Sequence, residues 1–178
     1  MDQVPGKHRM LFDTITPEGA ARAITFSANF LQVNEVDYGL KEESSAIIFV
    51  VRYRSVAFGY NDTIWAKYGT AFSNQLKLED PKTHAAPHAN PYNAGPALDN
   101  LGRAATLDSL AKLGVRFAVC NTATRNMSRS LARATGVDAD AIYAELTGNL
   151  IANGRLVPAG IVAVGRAQER GYSLAQSG

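Results

Sequence analysis

The sequence predicts an α/β sandwich with a mostly parallel sheet, and three observations carry that prediction. Short apolar strands alternate with helical patterns along the chain. The strands are continuously apolar rather than alternating, which is how strands covered on both faces read. At 178 residues and 46% apolar content, the chain has the size of one domain with a sizeable core.

The elements follow in order. Arg9-Met10-Leu11-Phe12-Asp13 reads as a first strand. Thr16-Pro17-Glu18 reads as a helix start: a capping hydroxyl, a proline at the first position and an acid in the first turn. Ala20, Ala23, Ile24, Ser27, Phe30 and Leu31 recur at helical spacing, so this helix ends near Val33. Residues 45–53 form the strongest strand, and a central one by composition. Asn61 and Asp62 cap a short helix with Ile64, Trp65 and Tyr68, closed by Gly69.

Residues 70–97 are irregular, broken by Pro81, Pro87, Pro91 and Pro96. A loop this long is usually a lid, a binding loop or an interface arm. Residues 98–113 read as a helix with Leu101, Ala104, Ala105, Leu107, Leu110 and Ala111 inward, ended by Gly114. Residues 115–120 are a short strand, Asn121 and Thr122 a turn, and 123–134 a helix stopped by Gly136. A further helix from Val137 carries Ile142, Leu146 and Ile151. Leu156-Val157-Pro158 reads as the final strand, 159–170 as the last helix, and the residues after Gly171 as a short tail.

Composition excludes several classes. Eighteen Lys and Arg against sixteen Asp and Glu are scattered, which argues against a nucleic-acid stripe or a membrane patch. No segment approaches the ~18 apolar residues of a membrane span. The N-terminus lacks the regions of a signal peptide. The expected location is cytoplasmic as the chain stands, or periplasmic if an export signal has been removed. One cysteine, Cys120, allows neither an internal disulfide nor an all-cysteine zinc site. His84 and His88 have i, i+4 spacing, but Pro87 between them argues against a helix, so no metal is expected. No Walker loop, dinucleotide fingerprint or nucleophile elbow is present, and no cofactor is expected.

Ligands in such folds bind beyond the carboxyl ends of the strands. Arg52, Arg54 and Ser55 fall there after the central strand, and Cys120, Asn121 and Thr122 after the next. Pro158-Ala159-Gly160 follows the last. Cys120 sits where a strand gives way to a helix, and free N–H groups at a helix start favour a thiolate. The alternative is a buried thiol packed as a small hydrophobe. Arg52 and Arg54 share one strand face by period 2; they either bind an anion or pair with Asp62 or Glu169. Trp65 and Tyr68 either line a pocket or pack on the core.

These segments resemble the DsrE/DsrF-like (YchN-like) family, in a branch with an enlarged region between Arg52 and Asn100. The resemblance rests on Gly114-Val115-Arg116-Phe117-Ala118-Val119-Cys120 and on the closing segment 157–172, VPAGIVAVGRAQERGY. It implies a three-layer α/β/α sandwich with a mainly parallel five-stranded sheet and assembly into trimers or hexamers. It also implies a sulfur-relay role, with a persulfide on Cys120 exchanged with a donor or acceptor protein.

Three functional readings follow. The first is a sulfur carrier in which Cys120 holds the persulfide, Arg52 or Arg54 steadies the anion, and Asn121 and Thr122 supply hydrogen bonds. The second is a non-catalytic module whose pocket of Arg54, Asn61, Trp65, Tyr68 and Asn121 holds a small anionic ligand. The third is an interaction protein whose 70–97 loop reaches a neighbouring subunit.

Overall fold

The computed structural model describes residues 6–80, 83–93 and 105–178. It is a three-layer α/β/α sandwich around a five-stranded, all-parallel sheet of order β4-β3-β2-β1-β5. The strands are β1 (His8–Thr14), β2 (Ser45–Val51), β3 (Arg116–Cys120), β4 (Gly154–Val157) and β5 (Ser173–Ser177). The helices are α1 (Pro17–Val36), α2 (Asp62–Leu76), α3 (Leu107–Lys112), α4 (Asn121–Thr135), α5 (Ala139–Gly148) and α6 (Gly160–Gln168). A 3-10 segment, Tyr53–Gly59, follows β2.

The order of the strands explains the layers. From β1 the chain steps outward through β2 and β3 to β4, and the connections put α1 to α5 on one face. It then reverses, and α6 crosses the opposite face to bring β5 beside β1. The larger core lies under α1 to α5, with Phe49, Val51, Phe117 and Val119 supplied by the sheet. Leu11, Ala46, Ile48, Val50 and Ala118 point the other way and pack on Ala163, Val164 and Ala167 of α6. Both faces of β2 are therefore covered, which is why its sequence shows no alternation.

Several boundaries differ from the sequence expectation. The central strand ends at Val51, because Tyr53 takes a left-handed φ of 56° and turns the chain into the 3-10 segment. Gly69 does not close α2, which continues to Leu76. Its role is close approach: a Cβ there would collide with the carbonyl oxygen of Pro87. The first part of the expected 70–97 loop is thus helix. Asn90 pins the next part, its side-chain amide donating to the Phe58 and Tyr60 carbonyls at 3.0 and 2.9 Å. Pro81, Pro96 and the segment 94–104, including Leu101 and Ala104, lie outside the described residues.

Within the described residues, the helix expected over 98–113 is α3, with Ala105 and Thr106 before it non-helical. Thr106 caps it, exchanging hydrogen bonds with Ser109. Asn121 and Thr122 form the first turn of α4 rather than a separate turn. The expected tail is β5, whose Ser-Leu-Ala-Gln-Ser sequence pairs with β1 at the sheet edge. Among the described residues, no helix is long and apolar enough to cross a membrane.

Candidate functional site

The carboxyl ends of β2 and β3 open into a cavity of about 420 Å³. Arg52, Tyr53 and Arg54 form one wall, and Cys120, Thr122 and Ala123 another. Asn126, Met127 and Ser130 continue along α4, with Gln75 and Leu76 from the end of α2. Ala159, Gly160 and Ile161 close it at the start of α6. This is where a parallel sheet places its ligands.

Cys120 ends β3 and caps α4. Its Sγ accepts the Ala123 N–H at 3.4 Å, so the sulfur takes the place of a capping oxygen. It also accepts the Gly160 N–H at 3.1 Å, from the first residue of α6. Two helix starts from opposite layers thus direct donors at one sulfur, 40 and 3 residues away in sequence. Backbone donors and helix N-termini both stabilise negative charge on an acceptor. The residue is 6% exposed, and what exposure it has opens on the cavity.

Arg52 is held beside this sulfur. Its Nε and Nη2 donate to the two carboxylate oxygens of Asp13, each at 2.8 Å, and Asp13 is 3% exposed. This bidentate bond holds the guanidinium above its ordinary value, against the cost of its own burial, and charge on Asp13 and Cys120 acts in the same direction. The stem of Arg52 lies against Gly160. A Cβ on Gly160 would stand 2.8 Å from Arg52 Cβ and 2.9 Å from its Cδ. Glycine is what lets the arginine stem and the N–H that binds sulfur share this corner.

The Arg52 backbone is fixed as well. Its N–H donates to Ser55 Oγ at 3.1 Å, and that hydroxyl lies 2.8 Å from the Thr14 carbonyl. Arg54 donates from Nη2 to the Leu76 carbonyl at 2.8 Å, closing the end of α2. Behind the site, Tyr60 donates to Thr124 at 2.9 Å, and Thr124 donates to the Cys120 carbonyl at 3.0 Å. Burial pushes the Tyr60 phenol up, so it remains a neutral donor in this chain.

Four of the residues expected at the site are therefore brought together: Cys120, Arg52, Arg54 and Thr122. Thr122 donates to the Pro158 carbonyl at 3.2 Å. The other four are placed elsewhere. Asn61 caps α2 through the Thr63 and Ile64 N–H groups. Trp65 is fully buried, stacks on Phe58, and donates from its indole to the Ala57 carbonyl at 3.0 Å. Tyr68 is buried and donates to Glu145. Asn121 accepts the Tyr143 hydroxyl at 2.7 Å. Each is absorbed by packing or capping and leaves the ligand-pocket reading without Asn61, Trp65, Tyr68 and Asn121.

The expected partners of the arginines are corrected too. Arg52 pairs with Asp13, while Asp62 accepts the Asn90 N–H and Glu169 pairs with Arg166. The two arginines do not share a strand face, because the strand has ended before them. Tyr53, Asn126, Met127, Ser130 and Gln75 were not anticipated. The one available signal lay in α4, where Ala123, Asn126, Met127 and Ser130 recur at helical spacing on a face with few charges. Among the described residues, no group of His, Cys, Asp and Glu is arranged to hold a metal.

No protein-family model and no curated protein matches the chain. Among solved structures, it is similar to the protein of unknown function MTH1491 from Methanobacterium thermoautotrophicum. The identity is 17% and the TM-score 0.46, over 96% of this chain and 99% of that one.

Proposed function

We propose that Cys120 is a reactive thiol that carries sulfur as a persulfide, the role implied by the DsrE-like resemblance. The observation that supports it most is the pair of N–H donors, from Ala123 and Gly160, converging on the sulfur at the cavity floor. A core cysteine has no need of them. The thiolate attacks the outer sulfur of a donor persulfide, R–S–SH. A new S–S bond forms on Cys120, the donor S–S bond breaks, and R–S⁻ leaves and takes up a proton. The added sulfur has room in the cavity, where Thr122, Asn126 and Ser130 offer hydrogen bonds. Transfer to an acceptor thiol is the same step reversed, with a donor or acceptor protein as the expected partner.

Intact-mass measurement after exposure of the folded protein to thiosulfate or polysulfide tests this. The expected result is a gain of one sulfur on the wild type and none on Cys120→Ser, with the variant's thermal midpoint nearly unchanged. No gain on a folded wild type refutes it.

The second reading, a small-ligand module without chemistry, keeps only the cavity and Arg54 from its expected pocket. It predicts ligand-induced thermal stabilisation that survives Cys120→Ser. Assembly into a trimer or hexamer is supported by apolar side chains left outside: Ile161 and Val162 on α6 are 60% and 54% exposed, and Val36 on α1 is 69% exposed. Light scattering tests it, and a monomeric mass refutes it.

A further inference from the structure

We propose that Asp13 is a positioning residue for the thiol, setting through Arg52 how much positive charge reaches the Cys120 sulfur. The proposal rests on Cys120 being a reactive thiol.

Asp13 stands where the fold has no structural use for a carboxylate. In register it is opposite Val50, and with Leu11 it belongs to the sheet face covered by α6. On that face Leu11 and Val50 beside it are apolar and Gln176 of β5 is its polar cross-strand neighbour, and Asp13 is nearly sealed from water. Burying an ion pair costs desolvation that an apolar pair of the same volume avoids. The pair is nevertheless built with care: two parallel 2.8 Å bonds fix the plane of the guanidinium. The arginine so fixed is the one whose stem packs on Gly160, the residue that donates to the sulfur.

Two effects follow. The carboxylate fixes the position of Arg52, and it neutralises most of the guanidinium's charge as seen from Cys120. Without the carboxylate, the guanidinium would present its full charge to the sulfur and favour the anion more strongly. An ionised thiol of low proton affinity is a poorer nucleophile than one poised near ambient pH. Asp13 tempers the site.

The groups facing the sulfur are few. Arg52, with Asp13 behind it, stands on one side, and Arg54 and Tyr53 line the same wall of the cavity. Tyr60 reaches Cys120 through Thr124. The residues of α4 and of the start of α6 that line the cavity are uncharged, with Thr122, Asn126 and Ser130 the polar ones, while Arg125 and Arg129 of α4 are not among the lining.

The test is the pH profile of Cys120 alkylation by iodoacetamide in the folded protein, followed by intact mass. Asp13→Asn keeps the shape and an acceptor oxygen but removes the charge. Its profile is expected to move about one pH unit lower, roughly a tenfold change in thiolate fraction on the acid side. Arg52→Gln is expected to move it higher, and Asp13→Glu to stay near the wild type. In the Arg52→Gln background, adding Asp13→Asn is expected to change nothing. If Asp13→Asn alone does not fold, the Arg52→Gln pair decides: an Arg52→Gln profile moved higher and coincident with that of the double variant supports the proposal, and an unmoved Arg52→Gln profile or separated profiles overturn it. A profile unmoved by Asp13→Asn overturns this inference alone. A wild-type thiol that resists alkylation while folded overturns both it and the reactive-thiol reading.

Discussion

Two groups of residues follow β2 within twenty positions, and in composition they look alike. Arg52, Tyr53 and Arg54 make the first, and Asn61, Trp65 and Tyr68 the second. The first lines a cavity. The second is consumed by the fold: each polar atom has a protein partner, and Trp65 and Tyr68 pack against Phe72. The difference lies in the backbone between them. Tyr53 adopts φ 56°, a conformation that costs an aromatic residue of order 1–3 kcal/mol. That turn carries the chain over the carboxyl end of the sheet and leaves Tyr53 67% exposed at the cavity wall. Beyond it, the 3-10 segment is buried from Ser55 to Gly59 and delivers α2 to the core. Residue type does not distinguish a site from a core; what the side chain faces does.

Three perturbations test this contrast, in falling order of effect. Trp65→Ala removes a fully buried indole with two ring partners and takes away one of the two donors to the Ala57 carbonyl, which keeps the Tyr60 N–H. It is expected to cost about 3–5 kcal/mol in urea unfolding, while any surviving folded fraction takes up sulfur normally. A loss of sulfur uptake at full stability would put Trp65 back in the site.

Gly160→Ala does the reverse. The new methyl presses on Arg52 Cβ and Cδ, and overpacking of this kind costs roughly 1–3 kcal/mol. Cys120 alkylation is expected to slow several-fold, since both the arginine and the N–H that binds sulfur are displaced. An unchanged alkylation rate would mean that neither matters to the thiol.

The smallest effect belongs to Glu145, which binds Lys67 at 2.6 Å and Tyr68 at 2.6 Å. The Lys67 bond first, and the Tyr68 bond second, hold its carboxyl below the usual carboxylate range. A carboxylate depressed in the folded state adds stability above its unfolded value and loses it as pH falls. A slight loss of thermal stability is therefore expected as pH drops below about 4.5, and Glu145→Gln should flatten it. Because the pair is largely exposed, the change is small. A steep acid transition that persists in the variant assigns acid sensitivity elsewhere.

Much of the fold was legible. The apolar runs of β2 and β3, the Thr16-Pro17 start of α1, and the glycines at 114 and 136, with φ of 82° and 73°, are local signals, and each acts as expected. β5 was not legible, because an edge strand with exposed Ser173, Leu174 and Gln176 needs no apolar run. Gly69 was misread because a glycine that stops a helix and one that admits a neighbouring backbone look the same in a sequence. At the site, Cys120 could be found from its place between strand and helix. Its second donor could not, since Gly160 is 40 residues away and reaches it only because α6 returns on the far face. Asp13 was hidden for the same reason, 39 residues from Arg52.

The sulfur of Cys120 lies on the seam between the two helical layers. Ala123 belongs to the layer of α1 to α5, and Gly160 to α6, the helix that packs on the opposite face. One atom is thus a shared rivet: the start of a helix on each side of the sheet is fastened to it. Whatever is bonded to that atom is sensed by both layers at once, and the outer turn of α6, with Ile161 and Val162 facing outward, is one residue from the fastening point.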